Sequence, residues 1–125
     1  MGDLLLGRPW DELEPVRKNR FCLTFRDELN IKSWLIKNVS FLDGEQIKIE
    51  LYAYDNGEHI IELSTLQEEE VVLHLVNRTG VTILKGIIKG FTVENIYPRA
   101  LDYSTDEKVE FICEAKYDTI VWKNK

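Results

Sequence analysis

From Arg20 onward the apolar residues return at every second position, the period of a strand with one buried face. In 20–26 (RFCLTFR), Phe21, Leu23 and Phe25 fall on one side and Arg20, Cys22, Thr24 and Arg26 on the other. A polar DELN segment then predicts a turn before IKSWLIKNVSF, where Trp34 and Ile36 lie opposite Leu35 and Val39. Asp43-Gly44 is a tight-turn pair. The cleanest strand of the first half follows in QIKIELYAYD, with Ile47, Ile49, Leu51 and Ala53 facing one way and Lys48, Glu50, Tyr52 and Tyr54 the other. Asp55-Asn56-Gly57 ends it. The segment 57–69 fits a weak helix through Ile60, Leu63 and Gln67, and fits a short HIIEL strand about as well.

The second half reads as a hairpin and a long ribbon. Val71, Leu73 and Leu75 form one apolar face, NRTG supplies the turn, and a long apolar strand runs to Tyr97-Pro98. Gly86 and Gly90 inside that strand predict bends or bulges. After the polar loop PRALDYSTDE, alternation resumes with Val109, Phe111, Cys113, Ala115 and Tyr117 against Glu110, Ile112, Glu114 and Lys116. His59 and His74 read as strand residues on the more polar faces. The sum is a mainly β chain, a β-sandwich or barrel of about six to seven strands with at most one short helix. One domain is expected over 20–125, preceded by an N-terminal arm at 1–19 that carries Pro9, Pro15, Trp10 and a Leu4-Leu5-Leu6 cluster.

Composition narrows the chemistry. At 125 residues and 44% hydrophobic content the chain can bury a core of its own. Its net charge of −6 argues against a nucleic-acid clamp, which needs clustered Lys and Arg. No apolar run reaches membrane-spanning length, and the first residues lack the pattern of a signal peptide or a myristoylation site, so a cytoplasmic origin is expected. Cys22 and Cys113, both within apolar strands, are expected as buried free thiols.

A search for catalytic groups returns little. The two histidines have no cysteine at zinc-ligand spacing, and no nucleophile elbow, P-loop or dinucleotide fingerprint occurs. Carboxylates are plentiful, densest at Glu68, Glu69 and Glu70, but nothing singles out a pair. Trp34, Tyr52, Tyr54, Tyr103 and Trp122 raise the question of base stacking, yet the tyrosines of ELYAYDNGE have acidic neighbours where a stacking groove would need basic ones. Packing or a protein interface explains these aromatics better.

The order of elements resembles the tail tube proteins of contractile-tailed bacteriophages and related injection machines. An arm leads to RKNRFCLTF, then SWLIKNVSF and IKIELYAYD. After a short linker come a long strand at 86–98 with its Pro corner, an Asp-containing loop (Leu101-Asp102-Tyr103, then 104–107), and a closing strand at 109–118. The resemblance covers roughly 15–122 as a pattern of elements. The sequence departs from the family in two places: the early loop that reaches the next ring shrinks to FLDGEQ, and the helix beside the sandwich must fit within NGEHIIELSTLQEEE.

The resemblance implies a structural protein of the virion, not an enzyme, with no cofactor and no metal. Subunits would form hexameric rings whose sheets join edge to edge, and the rings would stack into a hollow conduit for DNA. The implied partners are further copies of the chain, tail sheath and baseplate proteins, and DNA passing without specific binding; no membrane is involved. The implied location is the virion tail, after assembly in the host cytoplasm. Contacts between subunits are expected from the arm (Leu4, Leu5, Leu6, Trp10), from the turn at Tyr52, Tyr54, Asp55, Asn56 and Gly57, and from the loop carrying Tyr97, Pro98, Asp102 and Tyr103. Glu50, Glu110 and Glu114 are candidates to face the lumen. Two alternatives stand beside this reading: a tube-like adaptor at the baseplate or head end, and a small β-barrel module that binds a ligand or single-stranded nucleic acid.

Overall fold

The computed structural model describes residues 19–26, 31, 35–54 and 57–124. The arm candidates Leu4, Leu5, Leu6 and Trp10, and Asp55 and Asn56 of the turn, lie outside the described residues. Among the described residues seven strands and one helix occur in the order β1 (Phe21–Thr24), β2 (Ile36–Leu42), β3 (Gln46–Tyr52), α1 (Glu58–Ser64), β4 (Glu69–Val76), β5 (Thr82–Pro98), β6 (Glu110–Lys116) and β7 (Thr119–Lys123). All pairings are antiparallel, and the sheet runs β1-β4-β5-β6-β3-β2 with β7 also on β5.

The 17-residue β5 serves both layers of the sandwich. Its first half pairs β4 on one side and β7 on the other; its second half pairs β6. The bend falls at Gly90, whose φ of 76° is left-handed. There β5 carries one extra residue between the pairs Glu69–Phe91 and Val71–Ile88, a bulge of the kind glycine favours. β6 and β7 follow the same bend through Tyr117 and Asp118, the Asp118 N–H donating to the Lys89 carbonyl at 2.8 Å. The long two-strand unit visible in the sequence is therefore a folded ribbon linking a first layer (β1-β4-β5-β7) to a second (β2-β3-β6-β5).

Alternation puts Leu23, Val71, Leu73 and Ile88 of the first layer against Ile47, Ile49, Leu51, Cys113 and Ala115 of the second in one core. Phe91 fills the bend, with Phe25 edge-on at 6.1 Å. Burial pushes the Cys113 thiol up to about 12, which keeps it a neutral packing residue at physiological pH. Cys113 is buried and Cys22 half-buried, and neither is in a disulfide.

Three sequence expectations resolve here. The segment 57–69 begins as a helix: Gly57 takes the left-handed N-cap position, and Leu63 and His59 turn inward. Leu66, just beyond the helix, is buried and accepts the Val93 N–H at 3.0 Å. His59 is thus a buried helix residue, not a strand residue on a polar face, and its Nε2 lies 3.0 Å from the Tyr52 carbonyl oxygen. Gly86 is no bend either. It lies in register between Leu73 and Trp122, and a Cβ there would sit 2.8 Å from the Trp122 ring, so any side chain at this position would have to displace that ring.

The NRTG turn is stabilised from within. The Asn77 side-chain oxygen accepts from the Thr79 N–H, the Thr79 hydroxyl and the Val81 N–H, while Gly80 takes φ 86°.

Candidate assembly surface

The outward face of the second layer is polar across all four strands. Pairing registers align Ser40, Lys48, Glu114 and Asn95 in one row, and Asn38, Glu50, Ile112 and Tyr97 in the next. Tyr52 and Glu110 continue the pattern, with Arg99 beside Glu110 through a 2.8 Å bond from the Arg99 N–H to its carbonyl. The three candidate acids Glu50, Glu110 and Glu114 therefore share one face, as strand alternation requires.

Cations crowd the same face. Arg99 sits 3.0 Å from Glu50 and 3.2 Å from Glu110, which joins β3 to β6 through one guanidinium. Lys37 of β2 reaches Glu110 at 3.0 Å, and Lys48 lies 3.8 Å from Glu50. That carboxylate bond holds Lys37 above the usual lysine range. Glu114 accepts from the Tyr97 hydroxyl at 3.0 Å, which raises the tyrosine in turn. The face is a mixed-charge lattice. Neither Arg99 nor Lys37 stands out in the sequence, because the ladder register that brings them to Glu110 is a tertiary fact.

Glu50 is 91% buried by its neighbours, since only 9% of its surface is accessible. Replacing Arg99 with Ala leaves that carboxylate with only the distant Lys48, so a loss of about 2 kcal/mol in urea unfolding is expected. Arg99→Lys should recover less than half of it, because an ammonium cannot fork between two carboxylates.

Backbone geometry defines two outer edges of this layer. The Tyr117 N–H donates to the Glu45 carbonyl and the Ala53 N–H to that of Val109. Odd-numbered residues of β3 therefore bond to β6, and even-numbered ones to β2. In β2, then, Asn38, Ser40 and Leu42 bond inward to β3, whereas the N–H and C=O groups of Val39 and Phe41 point out of the sheet. At the other side, the bond from Arg99 to Glu110 fixes Asn95, Tyr97 and Arg99 as inward-bonding, so Ile96 and Pro98 present the outer edge of β5. No described strand covers either edge.

The remaining contact candidates are scattered. Tyr54 is exposed near Gly57 at the start of α1. Residues 99–109 form one wholly exposed loop in which Tyr103 and Leu101 stand out in solvent. Asp102 shapes it by accepting from the Ser104 N–H and hydroxyl, which hold its carboxyl below the usual range. Beside this loop is an open depression of about 640 Å³ lined by Lys37, Tyr52, Arg99, Lys108, Glu107 and Glu110. Its cations are largely engaged by Glu110, which disfavours it as a nucleic-acid groove. Among the described residues no His, Cys, Asp and Glu cluster could hold a metal.

No protein-family model matches the sequence, and no curated protein matches it. Solved structures do. A chain of the sheath–tube complex of an extracellular contractile injection system (PVC, extended state) superposes with a TM-score of 0.70 at 11% identity, over 97% of this chain and 100% of that one. The anti-feeding prophage cap, which terminates its tube, gives 0.75 at 12% identity, over 98% and 96%. The chain shares its fold with chains of contractile injection systems. Hcp2 from Salmonella typhimurium gives 0.55 at 8% identity over 84% and 94%. All three cover nearly the whole of the matched chain, so the likeness is to a complete subunit and not to a shared sheet. At these identities what is conserved is the arrangement of strands.

Proposed function

We propose that the chain is a ring-forming tube subunit of a contractile tail or injection machine. The observation that carries this reading is the second layer: four strands, a continuous polar face, and an edge on each side, at β2 and at the end of β5, that no described strand pairs. Exposed edges on a monomer invite uncontrolled pairing. Joined head to tail around a closed ring, the Val39–Phe41 edge of one copy meets the Ile96 edge of the next, and this layer keeps no open edge. Six such layers would close an inner barrel lined by the face that carries Glu50, Glu110 and Glu114. Because Arg99, Lys37 and Lys48 offset these acids, the lining would be nearly neutral, and a charged polymer such as DNA could slide without sticking. Sheath and baseplate proteins are then the partners, and the tail of a particle is the location.

A terminal position in such a tube is the second reading. It is favoured by the tight turn between β2 and β3, only Asp43, Gly44 and Glu45 long, where tube subunits resemble one another in a long loop to the next ring. The superposition on a tube-terminating cap is as good as that on the sheath–tube complex.

Light scattering at rising concentration, with negative-stain imaging of the same fractions, tests the proposal. Rings of fixed diameter are expected. Stacking into tubes would favour the tube body, and rings that stay single would favour the terminal position. A monomer at every concentration, with no ring even on a preformed tube end, would sink it.

A further inference from the structure

Among the described strands β1 is the shortest. It has four residues, pairs only β4 among the described elements, and ends the sheet on that side. The ladder registers set Cys22, His74, Lys85 and Lys123 in one row across β1, β4, β5 and β7. The row lies on the outer face of the first layer, because the positions beside it, Leu23, Leu73 and Gly86, are buried. Within it the His74 ring ties three strands together. Its Nε2 lies 3.2 Å from the Thr24 hydroxyl of β1, and its Nδ1 lies 3.3 Å from the Thr82 hydroxyl of β5. The Thr24 hydroxyl has a single proton and donates it to the Val72 carbonyl at 3.4 Å. That assigns the proton of the neutral ring to Nε2, which donates to Thr24, while Nδ1 accepts from Thr82.

We propose that His74 is an acid-sensitive clasp, which holds β1 on the sheet while neutral and lets it loosen when protonated. A second ring proton must go on Nδ1, where the Thr82 hydroxyl is the donor, so Thr82 has to turn and find another acceptor. The new charge also meets no acid. Facing the ring are Cys22 and, two residues earlier, Arg20 on the β1 side, Lys85 on β5, and Lys123 beyond it on β7. Along β4 the next carboxylate on this face is that of Glu70, about 13 Å away by strand rise. Among the described residues no ion pair joins the ring to a carboxylate. Desolvation, and after it the Lys85 ammonium, hold the imidazole below the usual histidine range. A base held low in the folded chain binds its proton more readily when unfolded. Its contribution to stability is therefore whole above about pH 6.5 and is lost as the pH falls below that value. The charge regains water most cheaply by opening the weakest neighbouring strand, which is β1. The inference concerns the single subunit and stands whether or not rings form.

Hydrogen exchange of the full-length chain at about pH 7.5 and about pH 5.5, each amide rate divided by its intrinsic rate at that pH, tests the clasp. At the lower pH the amides of Phe21 to Thr24 should lose protection several-fold relative to those of β6. His74→Gln keeps a donor and an acceptor but does not titrate, so it should abolish the difference; His59, still present, then cannot be its source. Lys85→Gln should make the difference smaller. An NMR titration of the wild-type imidazole supplies a second readout, with a midpoint expected below that of free histidine and coincident with the loss of β1 protection. Equal relative protection of β1 at both pH values, a midpoint at or above that of free histidine, or an undiminished acid effect in His74→Gln would each overturn the proposal.

Discussion

Phe41→Pro is expected to give a folded subunit that no longer forms rings. Position 41 is one of two in β2 whose backbone N–H points away from β3, so proline removes no bond of the subunit's own ladder. It removes instead a donor from the edge that the proposed ring would offer to the next copy. The side-chain loss is modest. Phe41 is already 41% exposed, and its one ring contact, edge-on to Tyr117 at 6.0 Å, is worth about 0.5–1.5 kcal/mol. Circular dichroism should show a native spectrum with a slightly lowered melting point, while light scattering and imaging show monomers.

Phe41→Val separates the two effects, because it discards the ring contact but keeps the N–H; it should still assemble. Ser40→Pro makes the opposite cut. It removes a donor that bonds inward to Lys48 across the β2–β3 ladder, so it should damage the fold itself by about 3 kcal/mol. Rings that survive Phe41→Pro would move the subunit joint off β2 and leave the exposed loop at 99–109 as the better candidate.

Much of this arrangement was legible in the sequence because it follows from period-two alternation. The faces of β3 and β6 are as read: Ile47, Ile49, Leu51, Cys113 and Ala115 are inside, and Glu50, Glu110 and Glu114 share the outer face. The hairpin at Asn77 to Gly80 was readable from local chemistry. What alternation does not encode is which strands become neighbours. The Arg99 bridge between Glu50 and Glu110 depends on β3 and β6 lying side by side although they are far apart in sequence, so no spacing announces it.

His59 shows a different failure. Its segment contains too few alternating positions to decide between periods, and the left-handed Gly57 starting the helix is a feature of backbone geometry, not of pattern. The two glycines of β5 look alike in sequence, and only the contacts separate them. One makes room for an aromatic ring and the other turns the chain.

That second glycine carries the largest stability effect we expect. Gly90→Val should cost about 4 kcal/mol or more, although valine is the better strand former by propensity. Two terms add. At φ 76° the backbone is in the region that L residues avoid and β-branched ones avoid most, a strain of order 1–3 kcal/mol. A Cβ would also overlap the Asp118 carboxylate and come within 2.9 Å of the Asp118 Cβ. Asp118 cannot simply withdraw, because its N–H is bonded to the Lys89 carbonyl at the same bend. Urea midpoints would report the loss, and a double-mutant cycle would apportion it. Asp118→Ala in the Gly90→Ala background removes the overlap with the carboxylate but leaves the Cβ contact and the left-handed backbone, so it should restore part of the stability and not all. Because β5 and the β6–β7 segment bend together here, a chain that survives the substitution by straightening would separate the two layers and open the core around Phe91. A Gly90→Val midpoint within about 1 kcal/mol of wild type would show instead that the bend tolerates a side chain. In that case the layers would owe their angle to the core packing and not to this residue.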